Sequence, residues 1–438
     1  MTATGRWARG WRLAVLCAVV GATLSCAGVR GKPPGPAAPA GVDASPPPTA
    51  SADTQAGRST ILDALETTFD AHLVEATGVA GHAVERLRVA REILLGQPSA
   101  TAFFDQLNQV LQGSGIAHLY VYQRGRDLFD NDIEDSWLVG ATLIRTDGFT
   151  FVTDVWEGGP AAEAGLLYGD ELLPVDGNEA VLDPLPAGVH KVRLWVRRER
   201  QSQPFFLDIE AAEGGTAWYL AESTRSSIRR VEHRGCTVGV IHLRTFADET
   251  LIDELVTGAH FDGTEGLIID LRGNRGGEVR LAGEVLDLLS RQPSIWIHYH
   301  NNRYSFPPTS WNRPLVILVD GETYSAAEIF AAAAQVRELA TVVGTATSGR
   351  VQASRLFPLP DGSRLLLPIS RVTLPDCGNL EGRGVLPDHT VERPVRYAAS
   401  ADPPMDRAFE LLEQQLACPE ELPPERFPQE VVAPRGRE

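Results

Sequence analysis

The spacing of hydrophobic residues changes along the chain, and each spacing predicts a different kind of structure. From residue 59 to about residue 113, apolar side chains recur every three or four positions, which predicts helices. Between residues 136 and 212 the chain turns to short strands, and residues 149–155 alternate between apolar and polar side chains. Residues 230–395 alternate strand-like and helical stretches, which indicates an α/β core. The first helical stripe contains Ile61, Leu62, Leu65 and Phe69.

Three strand-like runs stand out in the predicted core, at residues 238–243, 266–271 and 314–319. The second and third are almost continuously apolar. Strands of a parallel sheet have this composition because helices cover both faces of the sheet. We therefore expect these runs to be buried parallel strands.

The first 26 residues have the features of an export signal. A positive segment precedes residues 13–24, an apolar stretch too short to span a bilayer. It ends at Ser25-Cys26-Ala27-Gly28, which resembles a bacterial lipobox with Thr23 where leucine is usual. We expect Cys26 to be lipidated, and plain cleavage followed by secretion is the alternative. The positive residues are Arg6, Arg9 and Arg12.

Residues 27–58 are rich in Pro, Ala, Gly and Ser, a composition that cannot bury enough surface to fold. This stretch is predicted to be a linker behind the anchor. The sequence thus favours a protein of the bacterial cell envelope, in the periplasm and attached to a membrane by lipid, or else a secreted one.

The charge and cysteine content exclude several classes of protein. A formal net charge of −17 argues against a nucleic-acid partner held through its phosphates. Lys32 and Lys191 are the only lysines among 40 cationic residues, so a neutral lysine has almost no candidate as a catalytic base. The five cysteines include no Cys-x-x-Cys pair, which indicates neither a disulfide scaffold nor a zinc ribbon. A Cys236–Cys377 bridge is one open pairing.

The most informative segment is residues 319–334, where a buried strand leads through a tight turn into a helix beginning near Ser325. A serine at such a turn exposes its hydroxyl next to amides with positive potential, which suits an acyl-transfer nucleophile. The alternative is structural: Ser325-x-x-Glu328 is also a capping box that starts a helix.

A second segment, residues 267–277, is a strand that runs into a glycine-rich turn ending in Gly276 and Gly277. Paired glycines let the backbone turn an N–H outward, as an oxyanion site requires. No Gly-Lys-Ser/Thr follows, and the spacing is not that of a dinucleotide fingerprint.

Residues 158–165 and 169–177 resemble the helix, turn and strand of a PDZ domain of the bacterial protease-associated kind. Such domains bind an extended peptide end by adding it to a sheet edge. The resemblance places the carboxylate-binding loop at Leu138, Val139 and Gly140. A domain of this fold that only packs or regulates is the alternative.

Four ordered motifs together resemble the C-terminal processing (tail-specific) serine peptidases and the tricorn-type core. The resemblance implies an α/β core of the ClpP/crotonase type, an N-terminal helical domain and a small, mainly β PDZ domain. It makes Ser325 the nucleophile and the amides of Gly277 and Ala326 the oxyanion hole, with no metal or organic cofactor. The motifs occupy residues 266–277, 314–329, 342–350 and 382–388.

One departure from the family affects the mechanism. Arg350 stands where the tail-specific branch has its catalytic lysine, and a guanidinium cannot act as a base near neutral pH. The tricorn-type branch instead uses a histidine oriented by a glutamate, and the matching positions here are His242 and Glu381. We therefore expect His242 to be the base and Glu381 its partner, although Ile241 departs from that branch.

The other histidines receive lesser roles. His233, just before the first core strand, is the reserve base. Three more lie in or beside the helical segment with no spacing that suits metal ligation, so we expect them to be structural. These are His72, His82 and His118.

The sequence as a whole predicts an exported serine endopeptidase that captures polypeptide ends and cleaves them through an acyl-enzyme on Ser325. The main alternative is an inactive pseudoprotease that binds peptides as a regulatory module. Polypeptides are the expected partners, with a membrane contact through the lipid anchor. The predicted parts are a signal peptide at 1–26, a linker at 27–58, a helical domain at 59–135, a PDZ domain at 136–212, the catalytic core at 213–395 and an acidic tail with a helix at 396–438.

Overall fold

The N-terminal part consists of three helices and one short strand. A computed structural model describes residues 49–77, 80–116, 118–123, 137–175, 182, 185, 189–257, 260–289, 297–299, 302–304, 311–370, 372, 374 and 377–416, which fall within one compact unit, Ser45–Glu438. Helices α1, α2 and α3 span Gln55–Thr77, Ala80–Leu95 and Ala100–Gln112, and strand β1 spans Tyr120–Tyr122. The helices confirm the prediction. The predicted signal peptide, Cys26 and most of the linker lie outside the described residues.

A mainly β segment follows, built on an antiparallel sheet in the order β3-β4-β5-β6-β7. Its core contains Val152, Leu194 and Ile209, and the last two alternate with exposed positions along their strands. The described segment contains β2 to β8 at Trp137–Leu138, Ala141–Thr146, Phe149–Val155, Glu171–Leu173, Lys191–Arg197, Phe205–Glu210 and Ala212–Glu213, and helix α4 at Pro160–Glu163.

The remaining described residues form the α/β core. Its helices α5 to α9 span Thr216–Ser227, Glu249–Thr257, Val279–Leu289, Ala326–Val336 and Pro403–Gln415. Its strands β9 to β18 span Arg229–His233, Cys236–His242, Gly266–Asp270, Ile297–Tyr299, Asn302–Tyr304, Leu315–Val319, Thr341–Gly344, Ala353–Pro358, Arg364–Ser370 and His389–Thr390.

A six-stranded sheet in the order β18-β15-β14-β11-β10-β9 lies at the centre of this core. All neighbouring strands are parallel except β9 and β10. In register, Val240 lies opposite Ile268, and Ile268 lies opposite Val316. The three apolar runs of the sequence are therefore adjacent strands, which confirms the prediction of a parallel α/β core.

Both faces of the sheet are covered, which explains why these strands are apolar throughout. On one face Ile269 and Ile317 pack with side chains of α7 and α8. On the other face Ile268 and Val316 pack against Leu412 and its neighbours on α9. The predicted C-terminal helix is thus part of the sheet packing rather than a loose tail.

Strand β1 joins the N-terminal part to the core by pairing with β17 in a separate sheet of order β1-β17-β16. The buried amide of Asn108 on α3 bonds both the N–H and the carbonyl of Val121, at 2.8 and 2.9 Å. Because β1 is antiparallel to β17 and β16 begins three residues after Arg350, the residues just before β1 lie toward the Arg350 end of this sheet.

Within the part of the chain that the structure describes, none of the helices combines the length and the apolar character needed to cross a membrane.

Candidate active site

Ser325 lies between the end of β14 and the start of α8, in a backbone conformation that is unfavourable for a residue with a side chain. Its φ is 60° and its ψ is −127°. Its N–H donates to the carbonyl of Arg350 at 2.8 Å and to Glu328 Oε2 at 3.2 Å. Such strain persists only where the surrounding structure enforces it, and it is common where a side chain must be presented for chemistry.

The surrounding structure here is organised by Glu328, whose carboxylate is completely buried. Besides Ser325, it accepts hydrogen bonds from Thr347 Oγ1 at 2.5 Å, from the N–H of Gly349 at 2.7 Å and from the N–H of Arg350 at 2.8 Å. The carboxylate therefore does reach the Ser325 N–H, as the capping alternative requires. It also ties the 347–350 loop to the serine turn, which capping alone does not require.

The paired glycines pack directly against this serine. Gly276 has φ +88°, and a methyl group on it would lie 2.6 Å from Ser325 Cβ and 2.9 Å from the Ala326 nitrogen. Buried Asn274 holds the turn in place: its Oδ1 accepts from the Gly276 N–H at 2.8 Å, and its carbonyl accepts from the Tyr324 N–H at 3.1 Å. Only glycine allows this close approach.

The two predicted oxyanion donors belong to these adjoining segments. Gly277 continues the glycine turn with φ +135°, and Ala326 is the first residue of α8. Neither N–H donates to an acceptor among the described residues. Two backbone donors therefore remain available beside Ser325, and a developing negative charge needs such donors.

The structure does not bring His242 to Ser325, and that prediction is wrong. His242 Nδ1 lies 3.0 Å from Glu157 Oε1, and Nε2 lies 2.9 Å from the carbonyl oxygen of Arg272. Because both partners are acceptors, both ring nitrogens carry protons. A doubly protonated ring has no lone pair with which to take a proton from serine.

His242 belongs to a buried network between the core and the mainly β segment. Arg244 donates to Glu157 Oε2 at 2.7 Å and to Asp154 Oδ2 at 2.6 Å. Burial and the Arg244 charge oppose protonation of His242, but Asp270 and Glu157 outweigh them and raise the pKa of the imidazole. Burial opposes ionisation of Glu157, but His242 and Arg244 lower the pKa of its carboxyl.

Glu381 does not contact His242 either, which corrects the second half of that prediction. Its Oε2 accepts from the N–H groups of Val351 and Gln352 at 2.9 and 3.2 Å. Burial raises the pKa of Glu381, and Arg350 is among the groups that oppose this rise. The carboxylate thus supports the loop that follows Arg350.

His118 is the site residue that sequence reasoning missed. Its ring lies edge-on to Tyr324, with the ring centres 6.0 Å apart, so it is next to the residue that precedes the serine. Its Nδ1 is buried and has no hydrogen-bond partner among the described residues. Burial and the charge of Arg350 lower the pKa of His118 to about 4, so the ring is neutral at pH 7.

The other predicted positions are distributed as follows. His233, the reserve base, lies against Phe409 at 5.0 Å between ring centres and 3.7 Å from Glu413, on the helix α9 side. Leu138, Val139 and Gly140 immediately precede β3, which is an edge strand of its sheet. Cys236 is disulfide-bonded whereas Cys377 is a thiol, so the Cys236–Cys377 pairing is wrong.

Comparison with known proteins gives this arrangement a family. Residues 237–391, which include Ser325, the glycine turn and the Arg350 loop, match the model of peptidase family S41. Residues 237–391 therefore belong to peptidase family S41. This match confirms the resemblance seen in the sequence motifs.

Relatives of this chain carry related names. It is 27% identical to a carboxyl-terminal-processing protease of Synechocystis sp., over 58% of this chain and 61% of that protein. It is 25% identical to the carboxy-terminal processing protease CtpB of Bacillus subtilis, over 81% of this chain and 72% of that protein. The match with the Synechocystis protein thus spans less than two thirds of that relative.

A solved structure shares the fold of this chain. The photosystem II D1 C-terminal processing protease superposes with a TM-score of 0.51 at 19% identity, covering 78% of this chain and 96% of that one. At this identity the likeness concerns the fold alone.

The protonated state of His242 predicts a pH dependence of stability. The pKa of His242 is higher in the folded chain than the value of about 6.5 expected when unfolded. The stabilisation is therefore complete below about pH 6.5 and is lost as the pH rises through the folded pKa. We expect the stability advantage of the S41 chain over its His242→Gln variant to shrink from pH 6.5 upward, measured by urea unfolding.

His260→Gln, outside the network, is the control and should show no such trend. An advantage of the unchanged chain over His242→Gln that stays constant or grows with pH would contradict the doubly protonated ring.

Proposed function

We propose that this chain is a serine endopeptidase of the C-terminal processing type, acting through an acyl-enzyme on Ser325. The observation that carries the proposal is the strained Ser325 turn packed on Gly276, beside the two available N–H groups of Gly277 and Ala326. The names of the curated relatives support the same class of reaction.

His118 replaces His242 as the base in this proposal. Its pKa of about 4 keeps the ring neutral at physiological pH, and it neighbours Tyr324. Catalytic hydrogen bonds are commonly long without substrate, so we expect the ring to reach Ser325 Oγ when a peptide binds. Burial and then the Arg350 charge lower the pKa of this ring, so His118 is neutral before it takes the serine proton.

The reaction then follows acyl-transfer chemistry. Ser325 Oγ attacks the scissile carbonyl carbon while His118 takes the hydroxyl proton, and the N–H groups of Gly277 and Ala326 bind the resulting oxyanion. Collapse of the tetrahedral intermediate breaks the C–N bond, and the imidazolium returns its proton to the leaving amine. Water, deprotonated by the same ring, hydrolyses the acyl-enzyme.

The first test is labelling with a fluorophosphonate, which reacts with an activated serine. We expect Ser325→Ala to abolish labelling and His118→Ala to slow it by about 100-fold or more, because a general base contributes on that scale. His72→Ala is the matched control, a histidine of the same N-terminal part that packs on Phe357, and it should label normally.

A pair of glycine variants tests the oxyanion turn in the same assay. Gly276→Ala should suppress labelling because its methyl would collide with Ser325 Cβ. Gly321→Ala is the control: Gly321 lies in the turn before the serine with open space around it, so this variant should label normally.

Unchanged labelling of folded His118→Ala would exclude His118 as the base. An unlabelled wild-type chain would favour the inactive peptide-binding alternative.

We further propose that the mainly β segment captures the substrate end as a PDZ domain does. Leu138, Val139 and Gly140 would hold the terminal carboxylate, and the peptide would extend the sheet along β3, the edge strand. Gly140 has φ +76°, and a methyl group there would meet the Trp156 ring at 3.4 Å.

Peptide binding to the Ser325→Ala protein tests this capture. We expect Gly140→Ala to weaken binding of a fluorescent peptide about tenfold or more, since strain in the loop would misdirect its amides. Gly148→Ala is the matched control, because Gly148 also has a positive φ but lies in open space at the turn between β3 and β4. Equal affinities for both variants would argue against the loop.

We also propose that the mature chain is held in the bacterial cell envelope by a lipid on Cys26. The support is the sequence Ser25-Cys26-Ala27-Gly28 after an apolar stretch. Cells fed a labelled fatty acid should label the wild-type chain and Cys17→Ser but not Cys26→Ser. Labelling that persists in Cys26→Ser, or an unlabelled secreted wild-type chain, would contradict the anchor.

A further inference from the structure

We propose that the Arg350 guanidinium is a substrate-binding group that selects polypeptides with a carboxylate close to the bond that is cut. The inference rests on the proposed function and adds a substrate class to it. The carboxylate is either the free C-terminus of the substrate or an Asp or Glu side chain.

Arg350 is fixed to the nucleophile through its backbone on both sides. Its N–H donates to Glu328 Oε2 at 2.8 Å, and its carbonyl accepts from the Ser325 N–H at 2.8 Å. These two bonds fix the backbone of Arg350 next to Ser325. The guanidinium therefore stays within the length of one arginine side chain from this point. A cation in this position can interact with a peptide that is bound at Ser325.

The guanidinium is exposed and retains its donors. It lies over the Tyr324 ring at 5.9 Å from the ring centre, and it forms no ion pair with a carboxylate among the described residues. By contrast, Arg244 and Arg272 are buried and fully paired with carboxylates. Those two arginines have structural partners, whereas Arg350 presents its planar fork of donors to solvent.

The acidic groups near this cation are engaged by other hydrogen-bond donors. Glu328 is buried and accepts from three backbone N–H groups and the Thr347 hydroxyl. Glu381 is close enough for its ionisation to respond to Arg350, but its Oε2 is already bound by the N–H groups of Val351 and Gln352. The His118 ring is neutral at pH 7, so it does not pair with the guanidinium either. A substrate carboxylate is the group that the exposed Arg350 guanidinium would attract.

The chemistry of arginine makes this assignment more specific than a positive field. Guanidinium binds carboxylates through two parallel N–H···O bonds and stays charged at every physiological pH. A residue that cannot take the serine proton can still orient a substrate. Arg350 in place of the expected lysine thus removes a catalytic base and supplies a binding group for a substrate carboxylate.

Matched peptides of one sequence test the subsite in four forms: Glu or Gln next to the cleaved bond, each with a C-terminal acid or amide. We expect the wild-type chain to prefer at least one acid form over its neutral match by about 10-fold or more in kcat/KM, as a charged hydrogen bond would give. The preference should appear in KM, and in Kd for the Ser325→Ala protein. An advantage of Glu over Gln identifies a side-chain carboxylate, and an advantage of acid over amide identifies the chain end.

Variants assign the preference to Arg350. Arg350→Gln should reduce the ratio to about one, and Arg350→Lys should retain part of it. Arg355→Gln is the matched control, since Arg355 is also exposed and lies over an aromatic ring, that of Phe357, at 5.2 Å. It should keep the full ratio. The four peptides are also compared in the Gly140→Ala background, where the proposed carboxylate-binding loop no longer contributes to an acid-over-amide ratio.

Comparing ratios within each variant cancels any change in the reactivity of Ser325, including one caused by an altered pKa of His118. Equal use of all four peptides by the wild-type chain, or a preference that survives Arg350→Gln, would overturn the inference. Failure of the proposed function looks different: fluorophosphonate would not label the wild-type chain, while peptide binding to Ser325→Ala would still report on the subsite.

Discussion

The site depends on one buried carboxylate that forms no ion pair with the residues that the structure describes. Glu328 is fully inside the protein, and its charge is balanced by hydrogen bonds from three backbone N–H groups and one hydroxyl. An isolated carboxylate in such a place would be strongly unfavourable, by several kcal/mol or more, so these donors cannot move independently. The strained Ser325 turn and the 347–350 loop are therefore held in one fixed relation, which sets where Arg350 lies.

A second set of buried charges fixes the mainly β segment on the core. Arg244 lies between Asp154 and Glu157 of that segment, and His242 joins Glu157 to the carbonyl of Arg272. Burying these charges is acceptable only because each is paired, and removing one member would leave another uncompensated. The glycine turn begins just after Arg272, so the position of the mainly β segment and the shape of the oxyanion site share a structural support.

Much of the architecture could be predicted because its causes are local. Continuous apolar runs identified buried parallel strands, and the strand–turn–helix pattern around Ser325 and the paired glycines needed no distant information. The histidines could not be assigned in this way. His242 lies on the expected strand, but its state is decided by Glu157, which comes from another segment. His118 reaches the site only because β1 pairs with β17, more than 200 residues later in the chain. No periodicity or motif near His118 signals that pairing.

The central claim is that Ser325, the two backbone amides and His118 form one catalytic unit. A crystal structure of the phosphonylated protein tests it most directly, since the adduct resembles the tetrahedral intermediate. We expect a phosphonyl oxygen to accept hydrogen bonds from the N–H groups of Gly277 and Ala326, with a His118 ring nitrogen within hydrogen-bond distance of Ser325 Oγ. An adduct whose oxygens face solvent, or a serine approached by a different base, would contradict the account.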